Sequence, residues 1–167
     1  IPLTAHRLPL TVHLPMHKLA DALQAVAATL WVGGLWVTGY MVAPVLFSTL
    51  PDRAMAGLLA GKLFSLMAWV GIGCALYLLV FRFARHGLAA FRQGVLWVLL
   101  LMLALVCAGE FGVQPVMAAL KAQALPQQIM ESVLRDRFAA WHGVSSGLYV
   151  IQSLLGIVLV ILLARGR

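Results

Sequence analysis

Leu63-Phe64-Ser65-Leu66-Met67-Ala68-Trp69-Val70-Gly71-Ile72-Gly73-Cys74-Ala75-Leu76-Tyr77-Leu78-Leu79-Val80-Phe81 runs for 19 residues without a charge, between Lys62 and Arg82. As a helix rising 1.5 Å per residue it is about 28 Å long, against a bilayer hydrocarbon core of about 30 Å. Three more stretches share this character. Ala22 to Pro51 is uncharged between Asp21 and Asp52. The third runs from near Gly94 to about Met117, interrupted only by Glu110. The fourth, from about His142 to Ala164, contains no Asp, Glu, Lys or Arg. In lipid each backbone polar group must bond within its own segment, so apolar runs of this length read as helices. The expected fold class is all-α: an integral membrane bundle of four transmembrane helices, with spans at about 22–46, 63–82, 94–117 and 142–164. The first of them is expected to end near Pro44 or shortly after it.

Composition agrees. The 167 residues are 63% hydrophobic and 10% charged, with a mean hydropathy of +0.99, more apolar surface than a soluble domain of this size can bury. The net charge of +7 comes from basic residues scattered between apolar runs. Nucleic-acid binding needs them gathered on one wettable face and is excluded on that ground. The excess sets orientation instead. With the N-terminus inside, Arg7, Lys18, Arg82, Arg85, Arg92, Arg165 and Arg167 share the cytoplasmic side. Arg53, Lys62, Lys121, Arg135 and Arg137 lie opposite. The middle loop, with Arg82, Arg85 and Arg92 and no acid, favours both termini in the cytoplasm of a bacterial inner membrane. Cys74 and Cys107 sit in apolar runs, with no CxxC pairing.

Two connecting segments are amphipathic, and short interfacial helices are expected in loops 1 and 3. Pro51 to Gly61 sets Asp52 and Arg53 before Met55, Leu58 and Leu59. After Pro126, the residues Ile129, Val133, Leu134, Phe138 and Trp141 recur at helical spacing. Residues 1–17 differ from the rest. Pro2-Leu3-Thr4-Ala5-His6 recurs as Pro9-Leu10-Thr11-Val12-His13, too rich in proline for a helix. They are expected to be a disordered tail or a non-native extension, so that His6, His13 and His17 are not metal ligands. Residues 18–167 then make a single transmembrane domain.

Glu110 is the principal candidate for chemistry. It lies 16 residues after Gly94, about 24 Å along the helix, where an ionisable group faces the bundle interior or a wet cavity. Gln114 follows one turn later. His142, Lys62 and Tyr40 bring one polar group from each other span to a similar depth, so an intramembrane cluster of Glu110, His142, Lys62, Tyr40 and Gln114 is expected. Its functional reading is a proton or cation site. The competing reading is a carboxylate that snorkels to the interface or is neutralised structurally, by Lys62 for example. No catalytic constellation and no HExxH, CxxC, GxSxG or phosphate loop is present, so neither a catalytic site, nor a metal, nor a cofactor is expected. Gly57 and Gly61, Gly143 and Gly147 form GxxxG pairs, and Gly33 and Gly34 crowd the first span. Such small residues let helices approach closely in lipid.

Thr29-Leu30-Trp31-Val32-Gly33-Gly34-Leu35-Trp36, Ala43-Pro44-Val45-Leu46-Phe47, Ala60-Gly61-Lys62-Leu63-Phe64 and Trp141-His142-Gly143-Val144-Ser145-Ser146-Gly147-Leu148-Tyr149 carry a resemblance. Together they resemble, over roughly residues 18–164, a bacterial membrane family known as domain of unknown function 4149. That family is related to the transmembrane protein 205 group. The resemblance implies a four-helix inner-membrane protein with His142 as a signature position, and it implies no reaction. The first span is more distantly similar to copper-resistance D-type and protoporphyrinogen-oxidising membrane proteins, which use a first-helix histidine. Here Ala22 to Pro44 contains none.

Three functions follow, in order. The first is a non-enzymatic bundle acting in assembly, with itself or a membrane-protein partner in the bilayer. The second is a small-solute, ion or proton-linked transporter using the Glu110 cluster. The third, resting on the distant resemblance, is a metal- or haem-linked redox protein.

Overall fold

The computed structural model describes residues 16–124 and 132–165; the repeated Pro-Leu-Thr segments and residues 125–131 lie outside it. No strand occurs among the described residues. Helix α1 (Met16–Val37) passes through one widened turn, Thr38–Val42, into α2 (Ala43–Thr49). Helix α3 (Arg53–His86) is followed by a 3-10 segment, Gly87–Arg92. Helix α4 (Gly94–Cys107) passes through a second widened turn, Ala108–Val113, into α5 (Gln114–Ala124), and α6 (Ser132–Arg165) is the last described element. Four helical stretches, Lys18–Thr49, Arg53–Arg92, Gly94–Ala122 and Arg135–Arg165, are long and apolar enough to cross a membrane.

Both widened turns precede a proline. Within a helix a proline has no N–H to donate, and its ring crowds the carbonyl four residues back. Here the turn before each proline opens to accommodate it. Ala43 N–H bonds the Thr38 carbonyl just before Pro44, and Gln114 N–H bonds the Gly109 carbonyl just before Pro115. Each bond spans five residues, the π pattern. Pro44 therefore does not end the first span, which continues to Thr49.

The interfacial helices take a different form from that expected. Asp52 caps α3, its Oδ1 accepting from Ala54 N–H at 2.8 Å, and the helix then runs unbroken to His86. The amphipathic residues of loop 1 are its first turns, because nothing between Arg53 and Lys62 breaks the backbone ladder. In the same way, the described part of the loop 3 segment, from Ser132 on, is continuous with α6. At its far end α3 closes on Gly87, whose φ of +53° suits a residue without a side chain and whose N–H bonds the Phe83 carbonyl.

The helices pack around a ring: α3 against α1 and α4, α4 against α6, and α6 back against α1. The end that carries the start of α1 and the end of α6 is solidly filled. Trp31, Leu78, Leu96, Leu99, Met102 and Leu159 are fully buried there. Close approach depends on glycine at two points. A Cβ on Gly71 would stand 2.5 Å from Trp31 Nε1, and one on Gly156 would stand 3.1 Å from Val32. Many large apolar residues, Leu30, Leu66, Trp97, Leu154 and Val160 among them, face outward, as lipid contact requires.

A cleft at the opposite end of the bundle

Beyond the widened turns the ring loosens. Whereas α1 packs on α6 as well as on α3, α2 packs on α3, and a cleft of about 880 Å³ lies among all four spans. Its size falls within the range of small-molecule sites, about 300–1,000 Å³. The walls are mainly apolar, with Phe47, Leu58, Phe64, Met67, Leu105 and Met117 prominent.

One side of the cleft is a ladder of polar bonds from the third span to α3. The Ser65 hydroxyl donates to Glu110 Oε1. One turn on, Gln114 Nε2 donates to the Gly61 carbonyl at 3.2 Å. Two turns further, Lys121 Nζ donates to the Gly57 carbonyl at 3.0 Å. Residues 110, 114 and 121 recur at helical spacing and meet 65, 61 and 57, which run the other way. Gly57 and Gly61 thus do more than bring helices together: without side chains they leave their carbonyls open to partners on a neighbouring helix. The second widened turn, which carries Glu110, turns that carboxylate toward α3 and the cleft.

The facing wall comes from α6. His142, Ser145, Tyr149 and Gln152 recur at intervals of three, four and three residues on one face, and all four line the cleft. The Tyr149 hydroxyl donates to the Leu35 carbonyl, just before the first widened turn. Its ring stands edge-on to Phe64 at 5.0 Å and to Tyr40 at 6.4 Å. His142 is exposed at the rim and stacks on Phe138, with ring centroids 6.0 Å apart. Gln152 is 5% exposed, and its amide nitrogen has no partner among the described residues.

Of the five residues expected to cluster, Glu110, Gln114, His142 and Tyr40 line this cleft. Lys62 does not. It lies in an adjoining groove on the other side of Glu110, with Ser65 and Gln114. Lys62 follows Gly61 by one residue, about 100° around the helix, and that rotation takes it out of the cleft which Gly61 borders. The cation in the cleft is Lys121, joined at the rim by Arg53. Sequence reasoning missed Lys121, Arg53, Ser65 and the role of Tyr149; the polar spacing along α6 was the available signal for the last. Among the packing glycines, Gly34 meets the flexible Met67 thioether, while Gly33, Gly143 and Gly147 have no neighbour within 4 Å. No group of three or more metal-ligating side chains occurs among the described residues.

Neither a curated protein nor a solved structure matches this chain. The family model described as Domain of unknown function (DUF4149) matches residues 26–126. That stretch contains most of the first span and all of the second and third, and with them both widened turns and the ladder from Ser65–Glu110 to Gly57–Lys121. The chain belongs to the DUF4149 family.

Proposed function

We propose that this chain is a non-enzymatic membrane protein that holds one small amphipathic molecule in the cleft. The observation that carries the reading is the cleft itself: a space of about 880 Å³ with apolar walls, into which all four spans bring polar groups. The ladder also argues for holding rather than reacting. Ser65, Gln114, Lys121 and Tyr149 are each committed to a carboxylate or a backbone carbonyl, which fixes their positions as a binding wall requires. The filled half of the bundle argues against a path across the membrane, because Trp31, Leu99, Met102 and Leu159 close the inner end of the cleft. In this reading the protein lies in a bacterial inner membrane with both termini in the cytoplasm, on the strength of Arg82, Arg85 and Arg92 in the middle connection.

The test is native mass spectrometry of protein released from membrane patches that never meet detergent. One small molecule per chain is expected to survive release, and Gly57→Leu, which pushes a side chain into the cleft, should remove it. A Cβ at Gly57 meets only Phe47 Cζ, at 3.9 Å, and thermal melting of the variant checks that the longer side chain leaves the fold intact. Retention unchanged by Gly57→Leu would refute the reading.

A further inference from the structure

We propose that the molecule held in the cleft is an anionic amphiphile, its carboxylate or phosphate at Arg53 and Lys121 and its hydrocarbon chain reaching inward past Met67 and Val106. This rests on the binding reading above and adds the chemical class of the ligand.

Both cations line the cleft at its rim. Neither is answered by an acid among the described residues. Asp52, next to Arg53, is turned into the α3 cap, and the one ion pair among the described residues joins Arg85 to Asp21 at the other end of the bundle. The Lys121 ammonium has three donors and meets one carbonyl, that of Gly57. Glu110, the acid that lines the cleft, precedes Lys121 by 11 residues, about 16 Å deeper along the helix, and is held by Ser65. Among the described residues, the rim therefore sets two cations, Arg53 and Lys121, above an apolar interior.

Length supports the same occupant. Val106 precedes Lys121 by 15 residues, about 22 Å of helix, while one leaflet of hydrocarbon is about 15 Å thick. The cleft is therefore deep enough to take a lipid chain of one leaflet's length below a headgroup held at Lys121 and Arg53. The guanidinium fork matches two oxygens of a carboxylate or phosphate, and the ammonium adds a point charge. A neutral amphiphile would leave both cations unanswered, and phosphatidylcholine would bring its phosphate together with a quaternary ammonium of like charge, whereas an anionic headgroup brings only the charge that is wanted.

The test uses the full chain, exchanged into neutral detergent and offered four probes separately: phosphatidylglycerol, phosphatidylcholine with the same acyl chains, oleate, and inorganic phosphate. Retention is read by native mass spectrometry in the wild type, in Arg53→Gln/Lys121→Gln and in Gly57→Leu, with thermal melting as the folding control. Should the double variant fail to fold, Arg53→Gln alone takes its place. The wild type should keep phosphatidylglycerol or oleate over phosphatidylcholine by roughly tenfold, and the charge variant should lose that preference, since hydrogen bonds to charged groups supply it. Which of the two anions is kept tells whether the source is a bilayer lipid or a free fatty acid. Equal retention of phosphatidylcholine, or a preference that survives the charge variant, overturns the anionic assignment. Provided Gly57→Leu abolishes retention, the binding reading survives that result. Phosphate held as well as phosphatidylglycerol would also overturn it, by making the site one for anions alone. If Gly57→Leu changes the retention of no probe, both readings fall together.

Discussion

The Ser65 hydroxyl donates to Glu110 Oε1 across 45 residues of chain, joining the middle of α3 to the widened turn between α4 and α5. Serine is a weak partner for a carboxylate, but within a membrane there is little water to compete with it. The two side chains should therefore be energetically coupled. Ser65→Ala, Glu110→Ala and the double variant, unfolded in a bilayer mimetic, are expected to give a coupling of about 0.5–2 kcal/mol, the range of interhelical bonds in lipid. Additivity within error would mean that the bond does not hold in the folded protein.

The two lysines near the cleft should behave differently. Lys121→Ala removes a charged donor from the Gly57 carbonyl at 3.0 Å and is expected to destabilise the bundle by about 1.5–3 kcal/mol. Lys62 is exposed, and Lys62→Ala should stay within about 0.5 kcal/mol of the wild type. Equilibrium unfolding of both variants under one condition checks this. Equal effects would show that the ladder does not discriminate between the two residues.

This contrast shows what the sequence discloses. Uncharged runs between Asp21, Lys62, Arg82 and their like locate the spans, because hydropathy reports where lipid must be. It does not report where a helix continues past the lipid, so the ten residues before Leu63 were readable as amphipathic but not as the start of α3. Depth along a helix placed Glu110, Gln114, His142 and Tyr40 at one level. Rotation about the axis was not available, and it decides that Lys62 faces away while Lys121 reaches in. The widened turns were hidden for another reason. Pro44 and Pro115 advertise a break, and whether the helix stops or opens by one residue depends on the helices packed against it.

Pro115→Ala restores a backbone donor opposite the Phe111 carbonyl and removes the ring that crowds it. The turn Ala108–Val113 should then tighten toward regular helix. Amide exchange over residues 109–118 is expected to slow, while the cleft, which depends on that turn to aim Glu110, should retain its ligand less well. Stability gained at the expense of binding is the general pattern for strained functional turns. Exchange rates equal to the wild type would show that neighbouring helices, rather than the proline, hold the turn open.

The glycines separate into two groups, and one set of substitutions tests both. Gly71 is buried against Trp31, and Gly71→Ala would set a methyl 2.5 Å from Nε1 of a tryptophan that is itself fully enclosed. Rigid rings cannot step aside, so a loss of roughly 1–3 kcal/mol is expected. Gly143 and Gly147 are exposed, with nothing within 4 Å of an added Cβ. Gly147→Ala should therefore leave the fold intact or stabilise it by up to about 1 kcal/mol, the difference in helix propensity. A larger side chain there asks a separate question. If α6 packs on a second copy through this pair, Gly147→Leu will shift the protein toward monomer in bilayer nanodiscs without lowering its melting temperature, because the same small surface that lets two helices meet is idle within one chain. If the oligomeric state does not change, these glycines have no part in self-association, and the assembly role read from the GxxxG pairs loses its support on α6.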